Sequence, residues 1–257
     1  MSERIKETVM KTSEQTVSFI LCDFHTHLLP EIDDGSRSCD ESREMLRIMR
    51  EQGVKRVVLT PHYYAWREYP TAFLERRTSA VQKLKTVLSP DDPILHIGAE
   101  VAYFPGIGHS DEIEKLCIGG TDCLLLEMPF EKWHEEQFED IETLIRRGLT
   151  VVIAHIERYP EGKKRKIRNR LSALGAHLQC NAGFFLSRAT IRHARKWLTG
   201  GEISFIGSDC YYSDTRTPNL GRMRQLSLNP KEYEQAADLF RQTEQLLCNA
   251  KSIDDIV

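Results

Sequence analysis

The chain has 257 residues, 40% of them hydrophobic, and a formal net charge of -3. That length suits one well-buried core. The near-neutral balance gives no reason to expect nucleic acid or an anionic membrane surface as a partner, and no apolar run is long enough for a membrane span.

Residues 1–17 are polar and charged, without the apolar stretch of a signal peptide, and read as a flexible tail ahead of a single domain over 18–257. The first apolar segment, 19–27, ends on His25-Thr26-His27. A helix is expected over 40–52, capped by Ser38 or Asp40 and closed by Gly53. Residues 57–59 run into Thr60-Pro61-His62, and a helix is expected over 71–88. Residues 94–97 run into Gly98-Ala99-Glu100. Residues 124–126 stop at Glu127, before a helix over 134–147. Residues 151–154 stop at His155, before a helix over 164–174. A strand over 177–181 and a helix over 186–199 follow. Residues 203–208 then stop at Asp209, and a last helix covers 230–248.

Apolar strands alternating with amphipathic helices imply a mostly parallel sheet with right-handed crossovers. Six strands that each stop at a group able to bind a metal suggest an α/β barrel whose rim is a metal site, since catalytic groups of such barrels sit at the C-terminal strand ends. In an extended segment residues i and i+2 share a side, so His25 and His27 can converge on one cation. A carboxylate ending an apolar strand must be paired or ligated if buried, which singles out Glu100, Glu127 and Asp209. Imidazoles mixed with carboxylates suit two or three divalent ions. His96 reads as a satisfied core histidine and His177 as structural, while His109, His134 and His193 sit in polar, solvated stretches. The seven cysteines are scattered without a CxxC, and Cys22, Cys123 and Cys180 lie in apolar strands, which points to a reducing cytoplasm.

The run from Asp23-Phe24-His25-Thr26-His27 through Asp33-Asp34-Gly35 resembles the opening motif of the PHP (polymerase and histidinol phosphatase) superfamily. It is most similar to the branch of bacterial manganese-dependent tyrosine-protein phosphatases of capsule and exopolysaccharide synthesis. Thr60-Pro61-His62, Gly98-Ala99-Glu100, Leu126-Glu127, Ala154-His155-Ile156-Glu157-Arg158-Tyr159 and Ser208-Asp209 match in the same order, over roughly residues 18–218. The resemblance implies an α/β fold with a distorted seven-stranded barrel holding two or three ions, Mn2+ first among them. It assigns metal ligation to His25, His27, His62, Glu100, Glu127, His155 and Asp209, and phosphate contacts to Arg158 and Arg216. Asp33 or Asp34 orients water or donates a proton, with Asp34 carried as the catalytic candidate. The expected reaction is hydrolysis of phosphotyrosine by water activated on the metals, in a protein substrate such as a bacterial tyrosine kinase. The chain departs from the pattern once: the expected Ser-Asp-x-His reads Ser208-Asp209-Cys210-Tyr211, so a phenol stands where the family places an imidazole, and one metal site is expected to be weakened, to take a different ion or to be completed by water.

Cys210 and Arg216 also fit the C-x5-R spacing of cysteine-dependent phosphatases. The intervening residues contain no glycine, and Asp209 beside the thiol disfavours a thiolate, so the match reads as coincidence. Tyr63, Tyr64, Trp66, Tyr103 and Phe104 either line a pocket for a phenyl ring or pack under long loops. The basic run 162–170 reads as a solvated helix face. Two other functions fit the same residues: a PHP phosphoesterase for a small phosphomonoester such as histidinol phosphate, and a catalytically weak PHP module that binds a partner.

Overall fold

A computed structural model describes residues 19–255; the tail expected at 1–17 lies outside the described residues. The chain runs β1 (Leu21–Thr26), α1 (Cys39–Glu51), β2 (Val54–Leu59), β3 (His62–Tyr63), α2 (Pro70–Lys85), β4 (Ile94–Ile97) and β5 (Glu100–Ala102). It continues with β6 (Cys123–Glu127), α3 (Glu135–Arg146), β7 (Thr150–Ile153), α4 (Arg165–Leu174) and β8 (His177–Asn181). The last elements are α5 (Ala182–Leu186), α6 (Ile191–Thr199), β9 (Phe205–Gly207) and α7 (Pro230–Asn249).

Local chemistry explains the helix ends. Ser38 accepts the Glu41 N–H at the start of α1, where Asp40 and Glu41 complement the dipole. Asn229 and Glu232 cap α7 reciprocally, with Pro230 in its first turn. The helix expected from residue 186 starts only at Ile191. The Thr190 hydroxyl donates to the Phe184 carbonyl (2.7 Å), holding a turn in place of another helical turn.

All strand pairs are parallel, in one sheet ordered β1-β2-β4 and a curled six-stranded sheet ordered β3-β5-β6-β7-β8-β9. Two of the expected continuous strands are therefore broken. Pro61, which has no N–H, interrupts β2 before β3, and Gly98-Ala99 interrupts β4 before β5. Backbone bonds still carry the pairing past the breaks, from Gly98 N to Leu59 O (2.9 Å) and from Glu100 N to Pro61 O (3.0 Å). At the far edge, Asp209 N donates to His25 O and His27 N to Cys210 O, both at 2.9 Å.

The period-2 alternation of the strands sorts the core into two clusters. Cys22, Phe24, Val58, Cys123, Leu125, Val152, Ala154 and Phe205 pack on one face, closed off by Ile118 and by Leu247 of α7. Leu21, Val57, Leu59, Leu124, Leu126, Val151 and Ile153 face the other way and join the apolar sides of the helices. His96 is buried between Arg56 and the Lys251 carbonyl, as a satisfied core histidine. His177 bonds the Ser204 hydroxyl, and His109, His134 and His193 are exposed. The basic run forms the start of α4. Most of it is exposed, but Arg168 is buried against Glu202 and lies 3.9 Å over the Trp197 ring.

Candidate metal centre

The C-terminal strand ends bring all seven expected ligands into one cluster. Glu100, the first residue of β5, is its centre. Its Oε2 lies 3.0 Å from His62 Nδ1, 3.2 Å from His27 Nε2 and 3.3 Å from His25 Nε2. Its Oε1 accepts from His155 Nε2 at 2.8 Å. Glu127 Oε1 is 3.6 Å from His155 Nε2 and its Oε2 is 3.8 Å from His62 Nδ1. Asp209 Oδ1 is 3.6 Å from His27 Nε2 and 3.8 Å from His25 Nε2. Two ligand triads result, His25–His27–Glu100 and His62–Glu100–Glu127, with Glu100 common to both.

The donor set fits divalent cations on an observation of its own. Glu100 Oε2 and Asp209 Oδ1 are fully buried carboxylate oxygens without a hydrogen-bond partner among the described residues. A buried anionic oxygen left so is costly unless a cation or proton satisfies it. Without a cation, protons on His27 and His155 supply that charge, while burial pushes His62 toward its neutral form. Burial opposes a proton on His27, yet Asp33 and then Glu100 raise its pKa to about 10. Burial likewise opposes a proton on His155, and its bonds to Glu100 and Glu127 raise it to about 9. Despite burial, His25 and His62 hold Glu100 well below the usual carboxylate range, and His25 and His27 lower Asp209.

Outer contacts orient the ligands. Asp33 Oδ2 accepts from His27 Nδ1 (2.8 Å) and from the His62 N–H (3.0 Å), which leaves His27 Nε2 for the cluster. Gln179 Oε1 faces His25 Nδ1 (3.3 Å) and accepts the His155 N–H (2.6 Å). Asn181 Nδ2 donates to Asp209 Oδ2 (2.7 Å), and Glu157 accepts the Asn181 N–H (3.1 Å). His155, Asp209 and Arg216 all adopt positive φ (30°, 52° and 45°), and such strain in non-glycine residues concentrates at functional sites.

Of the expected catalytic residues, the two arginines meet at one atom. Asp209 Oδ2 is 3.2 Å from Arg158 Nη1 and 2.6 Å from Arg216 Nη2. Both guanidinium groups are part-exposed and can turn toward an anion entering the site. Asp34 stands at the rim, its side chain 72% exposed and 3.7 Å from His62. Asp33, not Asp34, makes the close contacts. Tyr211 is buried, its hydroxyl 2.9 Å from His62 Nε2, its ring 4.1 Å from the His27 ring and 3.7 Å beneath the Arg216 guanidinium. Burial, then Glu100 and Asp209, push this phenol up, so it stays neutral.

Cys210 is buried, and burial with Asp23 pushes its thiol well above its ordinary value, so the C-x5-R spacing supplies no thiolate. The aromatic candidates divide. Tyr63 is buried with its hydroxyl on the Glu68 carbonyl, and Tyr103 bonds Asp140, away from the cluster. Only Tyr64 stacks on a cluster residue, His62, with Trp66 beside it, at the edge of a pocket of about 190 Å³. Gln179, Asn181 and Phe130 were not singled out from the sequence. Asn181 had the same signal as the others, a polar group ending an apolar strand, whereas Gln179 and Phe130 had none.

A family model for capsular polysaccharide synthesis, CpsB/CapC, matches residues 21–249. The tyrosine-protein phosphatase CpsB of Streptococcus pneumoniae is 25% identical over 237 residues, 86% of this chain and 95% of that protein. The tyrosine-protein phosphatase YwqE of Bacillus subtilis is 27% identical over 230 residues, 83% of this chain and 85% of that protein. A solved chain from the crystal structures of YwqE and CpsB, described as unique metal-dependent tyrosine phosphatases, superimposes with a TM-score of 0.71 at 22% identity. It covers 90% of this chain and 96% of that one, and shows the fold to be shared.

Proposed function

This chain belongs to the capsular polysaccharide synthesis CpsB/CapC family, and from that premise we propose that it is a metal-dependent protein-tyrosine phosphatase. The observation that carries the reading is the buried cluster itself: two carboxylate oxygens without a hydrogen-bond partner among the described residues, ringed by four imidazoles and flanked by two arginines that share Asp209. His25, His27, His62, Glu100, Glu127, His155 and Asp209 would hold the ions. Bound divalent ions lower the pKa of water and neutralise phosphoryl charge. Arg158 and Arg216 exchange Asp209 for the non-bridging phosphoryl oxygens, where planar paired donors serve best. Water attacks phosphorus in line, the bond from phosphorus to the phenol oxygen breaks, and the departing phenolate takes up a proton. Asp33 keeps His27 in the tautomer that presents Nε2, and Asn181 holds Asp209. Asp34, 3.7 Å from His62 at the rim, would orient water.

The finer parts of the reading go with it. Mn2+ is the proposed ion, on the mixed imidazole and carboxylate donors. Phosphotyrosine on a bacterial tyrosine kinase is the proposed substrate, and the cytoplasm the proposed compartment, in keeping with the free cysteines. No helix among the described residues is long and apolar enough to cross a membrane. Residues 18–257 are proposed as one catalytic domain. Counting β2 with β3 and β4 with β5 as interrupted single strands gives the seven-stranded barrel; the backbone bonds across the breaks and between the β1 and β9 ends support that count.

The test is hydrolysis of a phosphotyrosyl peptide by protein stripped with a chelator and desalted. Activity is expected to vanish and to return on adding divalent ions, with manganese among the best. Full turnover by the metal-free protein would overturn the reading, and turnover of small alkyl phosphomonoesters well above the peptide would redirect it to the small-molecule alternative.

A further inference from the structure

At the edge of the cluster of charged and polar groups, a large apolar side chain stays open to solvent beside Arg158. Phe130, three residues after Glu127, is 48% exposed. The Arg158 guanidinium lies 5.3 Å over its ring, and the same guanidinium reaches Asp209 at 3.2 Å. The ring of the ligand His155 is 6.3 Å away and nearly parallel to it. Phe130 is thus one guanidinium's length from the position where a phosphoryl group would meet Arg158.

The turn that carries Phe130 is fixed from below. The buried Tyr159 hydroxyl accepts the Met128 N–H (3.0 Å), and Trp133 Nε1 donates to the Pro129 carbonyl (2.8 Å). The Tyr159 ring supports Phe130 at 5.0 Å and Trp133 at 5.4 Å. A side chain held out of the core by a pinned turn is preorganised surface, and preorganisation lowers the cost of binding. Tyr211 and Tyr159, which also pack on ligand histidines, are buried, and Tyr64 is engaged by His62 at 5.1 Å and by Arg67 at 4.4 Å. Trp66 is exposed as well, but it packs on Tyr64, which stacks on His62, whereas Phe130 packs on Arg158.

We propose that Phe130 is a specificity-determining residue, the wall against which the aryl group of an aryl phosphomonoester lies while Arg158 and Arg216 hold its phosphate. This rests on the phosphatase reading and adds the residue by which the site selects the aryl group. An aromatic ester leaving the arginines toward Phe130 meets an apolar ring in the offset or edge-on arrangement that aromatic pairs favour. An alkyl ester of the same charge gains much less there.

The experiment separates binding from turnover. Manganese-loaded wild type and Phe130→Leu are titrated calorimetrically with phenylphosphonate and with methylphosphonate, neither of which can be hydrolysed. The expected result is a loss of roughly fivefold in the preference for phenylphosphonate over methylphosphonate, the size of one aromatic pair. In turnover, kcat/KM for a phosphotyrosyl peptide should fall by a similar factor, carried by KM, relative to a phosphoseryl peptide of the same sequence. An equal loss for both phosphonates, an unaltered preference, or no binding of either would overturn the proposal. Circular dichroism and melting of Phe130→Leu exclude misfolding, and Phe130→Tyr, which keeps the ring, should restore the preference. Lack of turnover by wild type with every divalent ion would overturn the phosphatase reading instead, while the phosphonate preference would still decide the role of Phe130.

Discussion

Residues at strand ends carried most of what could be read of this site. A carboxylate or imidazole that closes an apolar run has few fates if buried, so His25, His27, His62, Glu100, Glu127, His155 and Asp209 stood out, and the fold brings them together around Glu100. Side chains that act through those groups were harder to see. Asp33 and Asp34 are adjacent in sequence, and only the geometry shows that Asp33 takes His27 while Asp34 stays at the rim. For the arginines, Arg158→Ala is expected to reduce kcat/KM by about 2–4 kcal/mol, as when one preorganised charge-stabilising donor is removed, while elemental analysis shows metal retained. Unchanged kinetics would mean that Arg158 never leaves Asp209. Tyr211 gives a second prediction. Its neutral hydroxyl closes the Nε2 side of His62, where a neutral imidazole would offer a ligand that a phenol withholds near neutral pH. Tyr211→His should therefore gain bound metal at limiting manganese, read by elemental analysis, and the difference should shrink at saturation. A variant that gains nothing would show that this side of His62 takes no cation.

The elements were legible where periodicity is strong and blurred where single residues intervene. Apolar runs ending in charged groups located the strands, and a capping residue located the start of α1. The breaks at Pro61 and Gly98-Ala99 lay hidden inside what read as continuous strands, because a missing donor alters pairing without altering hydrophobicity. Close approach between elements was equally hidden. A Cβ built on Gly207 at the end of β9 would lie 2.6 Å from His25 Cβ and 2.8 Å from His25 N. Gly207→Ala must push β9 off β1 at the point where His25 and Asp209 meet. Overpacking of this kind costs about 1–3 kcal/mol. That lowers the melting temperature by roughly 2–4 °C per kcal/mol in a chain of this size. Gly183→Ala is the control, since an added Cβ there meets nothing within 4 Å and alanine favours the helix. It should be neutral or slightly stabilising. Equal melting of the two variants would refute the close contact between β9 and β1.

At the scale of the whole molecule, sequence order alone could not show that one carboxylate collects four imidazoles, because that convergence is a property of the curled sheet. Its consequence is a competition between protons and metal for the same lone pairs. Asp33 and Glu100 raise His27 to about 10 against the opposing effect of burial, and Glu100 with Glu127 raise His155 to about 9 in the same way. An ordinary histidine titrates near pH 6.5, and these two are raised in the folded, metal-free protein. Each therefore contributes stability that is fully present below about pH 6.5 and is lost as pH rises through about 9 and 10. The chelator-treated protein should melt at progressively lower temperature over that range. A cation takes the place of those protons, so its affinity rises as they become easier to remove, and saturating ligand stabilises in proportion to the logarithm of its affinity. The gap between manganese-loaded and chelated melting temperatures should consequently widen from about pH 6.5 to about pH 8.5. Proton release on manganese addition, followed with a pH indicator in weak buffer, should accompany it. Parallel melting curves without proton release would mean that the cation does not displace protons from His27 and His155, and the ligand set would have to be redrawn around the carboxylates alone.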